Sequence, residues 1–220
     1  LKDLVNIYYN TGKLKEGLPF FKQLLELSRD PQDKAVAAAA SFEALFAEKQ
    51  IDEAIRLLPN LAQESEVRYS PRFNVALLKA SDALVALARI NDAALILNLI
   101  KTTDLMIEFH EEQRSVKQAR LEQQTAFGRK EDVVSKLRQE IKTLDANLKQ
   151  LRTLPTLRNE LLVRRARNYT KTARRYEAFW MFFDLMVENP DDEQAEFYHY
   201  ASFSNALQLS KKNTAIEVAT

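Results

Sequence analysis

No cysteine occurs among the 220 residues, which excludes disulfides, thiol nucleophiles and thiolate metal sites. Glycine occurs only three times and proline six times, too few for the tight turns that a sheet protein of this length requires. With so much Ala, Leu, Lys, Glu, Gln and Arg in their place, the composition points to nearly continuous helix. The shortage of glycine also leaves no phosphate-cradling loop. The two histidines, His110 and His199, stand far apart, and a zinc-protease spacing from His110 would need a second histidine where Arg114 stands. The longest apolar stretch, Ala93 to Ile100, is interrupted by Asn98 and is far too short to span a bilayer. A net charge of +1 gives no global attraction to nucleic acid or anionic membrane.

What is present is a recurrence. Small residues recur at Gly17, Ala54, Ala93, Val133, Ala178 and Ala215, at intervals of 37, 39, 40, 45 and 37 residues, and after the first five a bulky apolar residue follows four positions later. Val133 is the largest of these anchors and the poorest fit. A period of this size is the mark of stacked helix pairs, each too small to cover its own apolar face. In the first unit Leu4, Val5, Tyr8 and Tyr9 lie at helical spacing, Gly12 and Lys13 make the turn, and Gly17, Phe21, Leu24 and Leu25 form the stripe of a second helix. Pro31 ends that helix by forcing Asp30 out of the α region.

These residues resemble the tetratricopeptide repeat family. The match runs through Leu4, Tyr8, Gly12, Gly17, Phe21 and Leu24 in the first repeat, and through Ala166, Tyr169, Ala178, Phe182, Leu185 and Pro190 in the fifth. Phe42, Leu45, Ala54, Leu58 and Leu61 carry it in the second repeat, and Leu84, Ala93, Leu97 and Ile100 in the third. The fourth keeps Leu121, Gly128 and Leu137, and the sixth Phe203, Ala206 and Ala215. The resemblance implies an all-α fold, an α-solenoid of antiparallel helix pairs wound as a right-handed superhelix. The family's period is about 34 residues, and every interval here is longer.

The 45-residue interval predicts helices that extend beyond the stack. Asp104 to Phe127 and Lys130 to Arg152 read as two helices of roughly 35 Å each. On the second, Val134, Leu137, Ile141, Leu144, Leu148 and Leu151 form a heptad seam. Its partner is the Asp104 helix, the helix after Pro155 or another chain, with packing inside the chain favoured. The expected organisation is therefore repeats one to three over 1–103, a long hairpin as an elongated fourth repeat over 104–155, and repeats five and six over 156–220. Self-association through the hairpin is a further expectation.

No constellation for catalysis emerges. Glu111 with Glu112, and Asp191 with Asp192, read as hydrated helix faces or helix starts, and no strand–turn–helix elbow exists to present a nucleophile. We expect no enzyme, cofactor or metal site. Arg164, Arg167, Lys171 and Arg174 share one helix face, with Arg158, Arg165 and Arg175 nearby, and Glu177 to Glu196 then holds seven acidic residues and no basic one. Either the stripe binds an acidic peptide, a lipid headgroup or nucleic acid, or the neighbouring basic and acidic helices pair with each other. Pairing is favoured, and nucleic acid is disfavoured by the near-neutral total.

The family resemblance implies a partner-binding groove along the first helices of the repeats. It places Lys2, Asn6, Tyr9 and Asn10 there, then Ala39, Glu43 and Phe46, and then Leu78, Asp82 and Val85. Gln118 and Glu122 would follow, then Val163, Arg167 and Lys171, and finally Phe197, Tyr200 and Ser204. The candidate partner contacts are Lys2, Asn6, Tyr9, Glu43, Asp82, Arg164, Arg167, Lys171 and Tyr200. Lys2 and Asn6 look like the opening of a carboxylate clamp, with Lys79 as a third member. Ala40 and Val75 occupy the remaining places and leave the clamp incomplete.

The expected function is a scaffold that binds a protein or peptide. The alternatives are binding of nucleic acid or an anionic surface through Arg164–Arg175, or a docking arm of a larger enzyme or envelope machine. The start at Leu1 and the unfinished helix at Ala215 to Thr220 read as an excerpt of a longer protein. The Ala- and Gln-rich, cysteine-free composition leans toward a bacterial periplasm or envelope, with the cytoplasm equally compatible.

Overall fold

The computed structural model describes residues 1–127, 131–154 and 156–209. Gly128, Lys130, Pro155 and the anchor Ala215 lie outside them. The described chain is all-helical: α1 (Lys2–Asn10), α2 (Leu14–Leu27), α3 (Pro31–Ala47), α4 (Ile51–Gln63), the short α5 (Ser65–Arg68), α6 (Pro71–Ala86), α7 (Ile90–Leu99), α8 (Thr103–Ala126), α9 (Glu131–Leu151), α10 (Arg158–Lys171), α11 (Arg175–Glu188) and α12 (Ala195–Gln208). None of these helices is long and apolar enough to cross a membrane.

One turn is used four times. After α1, α3, α6 and α10 the chain passes through a residue of positive φ, namely Gly12, Lys49, Ala88 and Ala173, at 58–69°. The N–H of the next residue then reaches back to a carbonyl five positions earlier: Lys13 to Tyr8, Gln50 to Leu45, Arg89 to Leu84 and Arg174 to Tyr169, at 2.8–3.0 Å. This is the Schellman closure, which satisfies carbonyls that the helix end leaves open. Glycine supplies the left-handed conformation only once. At the other three turns a side chain bears the strain.

Four residues after each turn's last bond, the anchor of the next helix sits buried: Gly17, Ala54, Ala93 and Ala178. The reason for small size is explicit at Gly17. A Cβ there would lie 2.8 Å from the Cβ of Tyr8 and against the ring of Phe21. Val133 behaves differently. It is 41% exposed on the first turn of α9, so it anchors nothing, and no equivalent of the turn precedes it among the described residues.

The core follows this pairing. One cluster runs from Phe42 and Leu58 through Phe73, Leu84 and Ile96 to Leu161 at the start of α10. A second lies under Val5, Phe21 and Leu24, and a third under Val163, Phe182 and Tyr198. α10 therefore docks on α7, although α8 and α9 intervene in sequence. Two polar contacts fix this junction. Arg165 donates from Nε and Nη2 to the carbonyl of Leu97 (3.3 and 2.8 Å), and Asn168 Nδ2 donates to the carbonyl of Ile90 (3.2 Å).

α8 and α9 pack mainly on each other. Val134, Leu137, Ile141, Leu144, Leu148 and Leu151 are all buried on α9, so the seam finds its partner within the chain. The ion pairs Glu111–Arg152, Arg114–Asp145 and Lys117–Glu140 connect rising numbers on α8 to falling numbers on α9. Thr102 caps α8 by accepting from the N–H of Leu105.

Two substitutions test the packing account by urea unfolding. Gly17→Ala should destabilise by about 1–3 kcal/mol through overpacking, although alanine is the better helix former by roughly 1 kcal/mol. A gain in stability would show that close approach at this site is not required. Conversely, Ala88→Gly and Ala173→Gly should each stabilise by about 0.5–1 kcal/mol, because only the left-handed backbone is changed.

Candidate functional site

An open groove of about 950 Å³ lies between α6, α10 and α12. Its volume falls at the upper end of the range of roughly 300–1,000 Å³ typical of ligand clefts. Val85, Val163 and Phe197 give it an apolar lining, while Arg167, Lys171 and Tyr200 stand along its edges. The floor exists because Phe197 packs edge-on to buried Phe182 at 5.5 Å. Arg167 stacks its guanidinium 4.7 Å from the centroid of Phe197, which holds a charged fork over an aromatic face. Tyr200 is 71% exposed. Its neighbours Tyr198, which is buried, and Phe203, which is half-buried, belong to the core, while half-buried Phe197 packs on the core and also faces the groove.

The nine residues expected to meet a partner divide into two groups. Five are committed to other parts of the chain. Lys2 pairs with Asp33 at 2.6 Å. Tyr9 donates its hydroxyl to Glu43 at 2.8 Å beneath the guanidinium of Arg72. Burial and the Glu43 carboxylate push the Tyr9 phenol up to about 12. Arg164 grips Asp82 with two bonds, Nε to Oδ1 at 2.9 Å and Nη2 to Oδ2 at 3.0 Å, and also reaches Glu160 at 2.7 Å. These contacts join α1 to α3 and α6 to α10, so they brace helix against helix.

Asn6 is half-buried on α1. Arg167, Lys171 and Tyr200 share the groove. Asp82 and Arg164 border it while holding each other. Of the wider groove assignment, Ala39 is fully buried in the core. Gln118 bonds to Glu122 on α8, and neither lines the groove.

Three of the seven cations of the basic stripe pair with carboxylates, two of them from the neighbouring acidic stretch. Arg158 pairs with Glu188, Arg174 with Glu177, and Arg164 with Asp82 and Glu160. Arg165 is turned inward onto the end of α7, where burial pushes its guanidinium below the usual value. Among the described residues, Arg167 and Lys171 have no carboxylate within 4.0 Å.

Sequence reasoning did not single out Asn168. It is 2% exposed on the groove wall, and its Oδ1 has no hydrogen-bond partner. The signal was present: Asn168 falls seven residues after buried Leu161, on the stripe that α10 turns inward.

A second cleft, of about 1140 Å³, separates the α8–α9 pair from the Arg29–Gln32 turn. At its inner end Phe109 stacks on Tyr69 at 4.3 Å, and His110 lies beside them, 4% exposed. His110 hydrogen-bonds the backbone of Tyr69, while its Nδ1 has no partner. No group of three or more potential metal ligands occurs among the described residues. Comparison with protein-family models, with curated proteins and with solved structures finds no match.

His110 gives a pH prediction. Burial is the largest cause holding its imidazole below the ordinary 6.5. The unfolded chain therefore binds the proton more readily, so the stability this residue contributes is present above pH 6.5 and is lost as pH falls toward the folded-state value. His110→Gln should flatten that slope in urea midpoints measured between about pH 7.5 and 5. An unchanged slope would assign the pH dependence to other groups.

Proposed function

We propose that this chain is a non-catalytic scaffold that binds a partner protein in a larger assembly. In this reading the helix pairs stack antiparallel as a tetratricopeptide-like solenoid over 1–103 and 156–220, and 104–155 forms a hairpin standing off the stack. The groove between α6, α10 and α12 is the partner surface. The observation that carries the reading is the sorting of polar groups along the inner face. Pairs such as Tyr9–Glu43 and Asp82–Arg164 brace helix against helix. Arg167, Lys171 and the exposed ring of Tyr200 are left at one open groove.

Such a surface works by preorganisation, since the bracing pairs fix the helices that carry the groove before a partner arrives. An exposed tyrosine that shares a groove with a stacked arginine is the kind of anchor on which interfaces concentrate their energy. The hairpin's apolar seam is already covered by α8, so its contribution to contact falls on exposed residues such as Val116 and Phe127. Binding of nucleic acid or an anionic surface through Arg164–Arg175 is the weaker reading, because Arg164 and Arg174 already hold carboxylates and Arg165 is spent on the carbonyl of Leu97.

The test is capture from an extract of the source cell on the immobilised chain. Proteins retained by the wild type should be lost at least about tenfold on Tyr200→Arg, and kept on Gln23→Arg, an exposed position on α2. Retention that ignores Tyr200→Arg would move the partner surface elsewhere. Retention that disappears on nuclease treatment would favour the nucleic-acid reading.

A further inference from the structure

The reading of the groove as a partner surface leaves the chemistry of the partner open, and the unpaired groups in the groove narrow it. We infer that the groove takes an extended, acidic protein segment, with its carboxylates on Arg167 and Lys171 and a large apolar side chain against Val85, Val163 and Phe197. The inference rests on the scaffold reading and adds a ligand class to it.

Charge along the groove is polarised. Glu160, Asp82 and Arg164 close one end as a mutually satisfied set. Asp192 accepts from the Gln194 N–H (2.8 Å) and the Tyr198 hydroxyl (3.3 Å). Toward the C-terminal end of α10 stand Arg167 and Lys171, four residues apart and so on one helix face. Arg175, nearby, hydrogen-bonds Asn205 at 3.4 Å. Two cations that lack counter-charges at the edge of an apolar cleft favour an anionic group, and a guanidinium fork offers a carboxylate two parallel bonds.

The remaining features select a peptide over other polyanions. Val85, Val163 and Phe197 present apolar surface within the groove, which suits a side chain better than a sugar–phosphate backbone. Asn168 spends its amide N–H on the carbonyl of Ile90, and its Oδ1 has no donor. That oxygen is buried on the groove wall, so it adds polarity beneath the apolar lining without itself selecting the ligand. Tyr200, on the opposite wall, supplies a broad amphipathic contact at low entropic cost.

The experiment is selection of a phage-displayed library of random linear peptides on the wild-type chain, followed by anisotropy with a labelled synthetic copy of the strongest sequence. Selected peptides should combine Asp or Glu with a large apolar residue. Arg167→Glu with Lys171→Glu should weaken the synthetic peptide by about tenfold or more, at an unchanged helical circular dichroism signal and unfolding midpoint. Replacing the peptide's acidic residues by Asn and Gln should weaken it by the same factor, and that arm does not depend on the protein variant folding.

Neutral or basic consensus peptides, indifference to the charge reversal, or no enrichment at all would overturn the inference. Displacement of the peptide by single-stranded nucleic acid or by vesicles containing phosphatidylserine would overturn it as well. If extract proteins are still lost on Tyr200→Arg while no acidic peptide is selected, the scaffold reading stands and only this inference fails. Loss of both results removes both.

Discussion

Close approach of two helices at one small residue is the constraint on which the rest of this structure depends. Where Gly17, Ala54, Ala93 or Ala178 stands, the preceding helix comes near enough for a Phe or Leu one turn later to fill the remaining space. The left-handed turn has to deliver the second helix at the right height for that contact. It is kept even where its pivotal residue is Lys49, Ala88 or Ala173, each bearing a strain that glycine would avoid. Retaining the strained turn three times implies that helix placement is worth more than the local cost. The recurrence of the whole unit, turn plus anchor, is the regular part of the fold.

The irregular part follows from the same constraint. α9 has an apolar seam but no small anchor, and Val133 faces outward. The α8–α9 pair packs mainly on itself, and α10 docks on α7 instead. Leu161 then enters the core beside Ile96 and Leu97, and Arg165 caps the open carbonyl near the end of α7. Burying an arginine there is tolerable because both bonds go to one carbonyl that would otherwise lack a donor at the helix terminus. α7 and α10 are thus joined by residues that the recurring anchors do not include.

Much of this was legible from the chain. The anchors at Gly17, Ala54, Ala93 and Ala178, the seam from Val134 to Leu151 and the two long helices all follow from local spacing, because each depends on neighbours within a few turns. What was not legible depends on residues far apart in sequence. Nothing near Asp82 announces that Arg164 will hold it, and nothing near Arg165 points to the carbonyl of Leu97. The turn at Ala88 was hidden because no glycine marks it. The docking of Phe109 and His110 on Tyr69 was hidden because α5 has only four residues and no periodic pattern. The candidate site was therefore half visible. Its residue types could be placed on the right helices, but the split between bracing pairs and open groups could not.

That split decides what the surface can do. A row of arginines looks like an anion-binding face when read along α10 alone. In three dimensions α6 and α11 take up Arg164 and Arg158, Glu177 takes up Arg174, and the end of α7 takes up Arg165. Exposed pairs of this kind contribute only about 0–1 kcal/mol each to stability, so their larger effect is to subtract charge from the surface. After that subtraction Arg167 and Lys171 are the unpaired cations of the stripe that line the groove, next to the aromatic ring of Phe197. A long polyanion needs charge spread along its path. A short segment that places a carboxylate and an apolar side chain a few ångströms apart needs only what remains here.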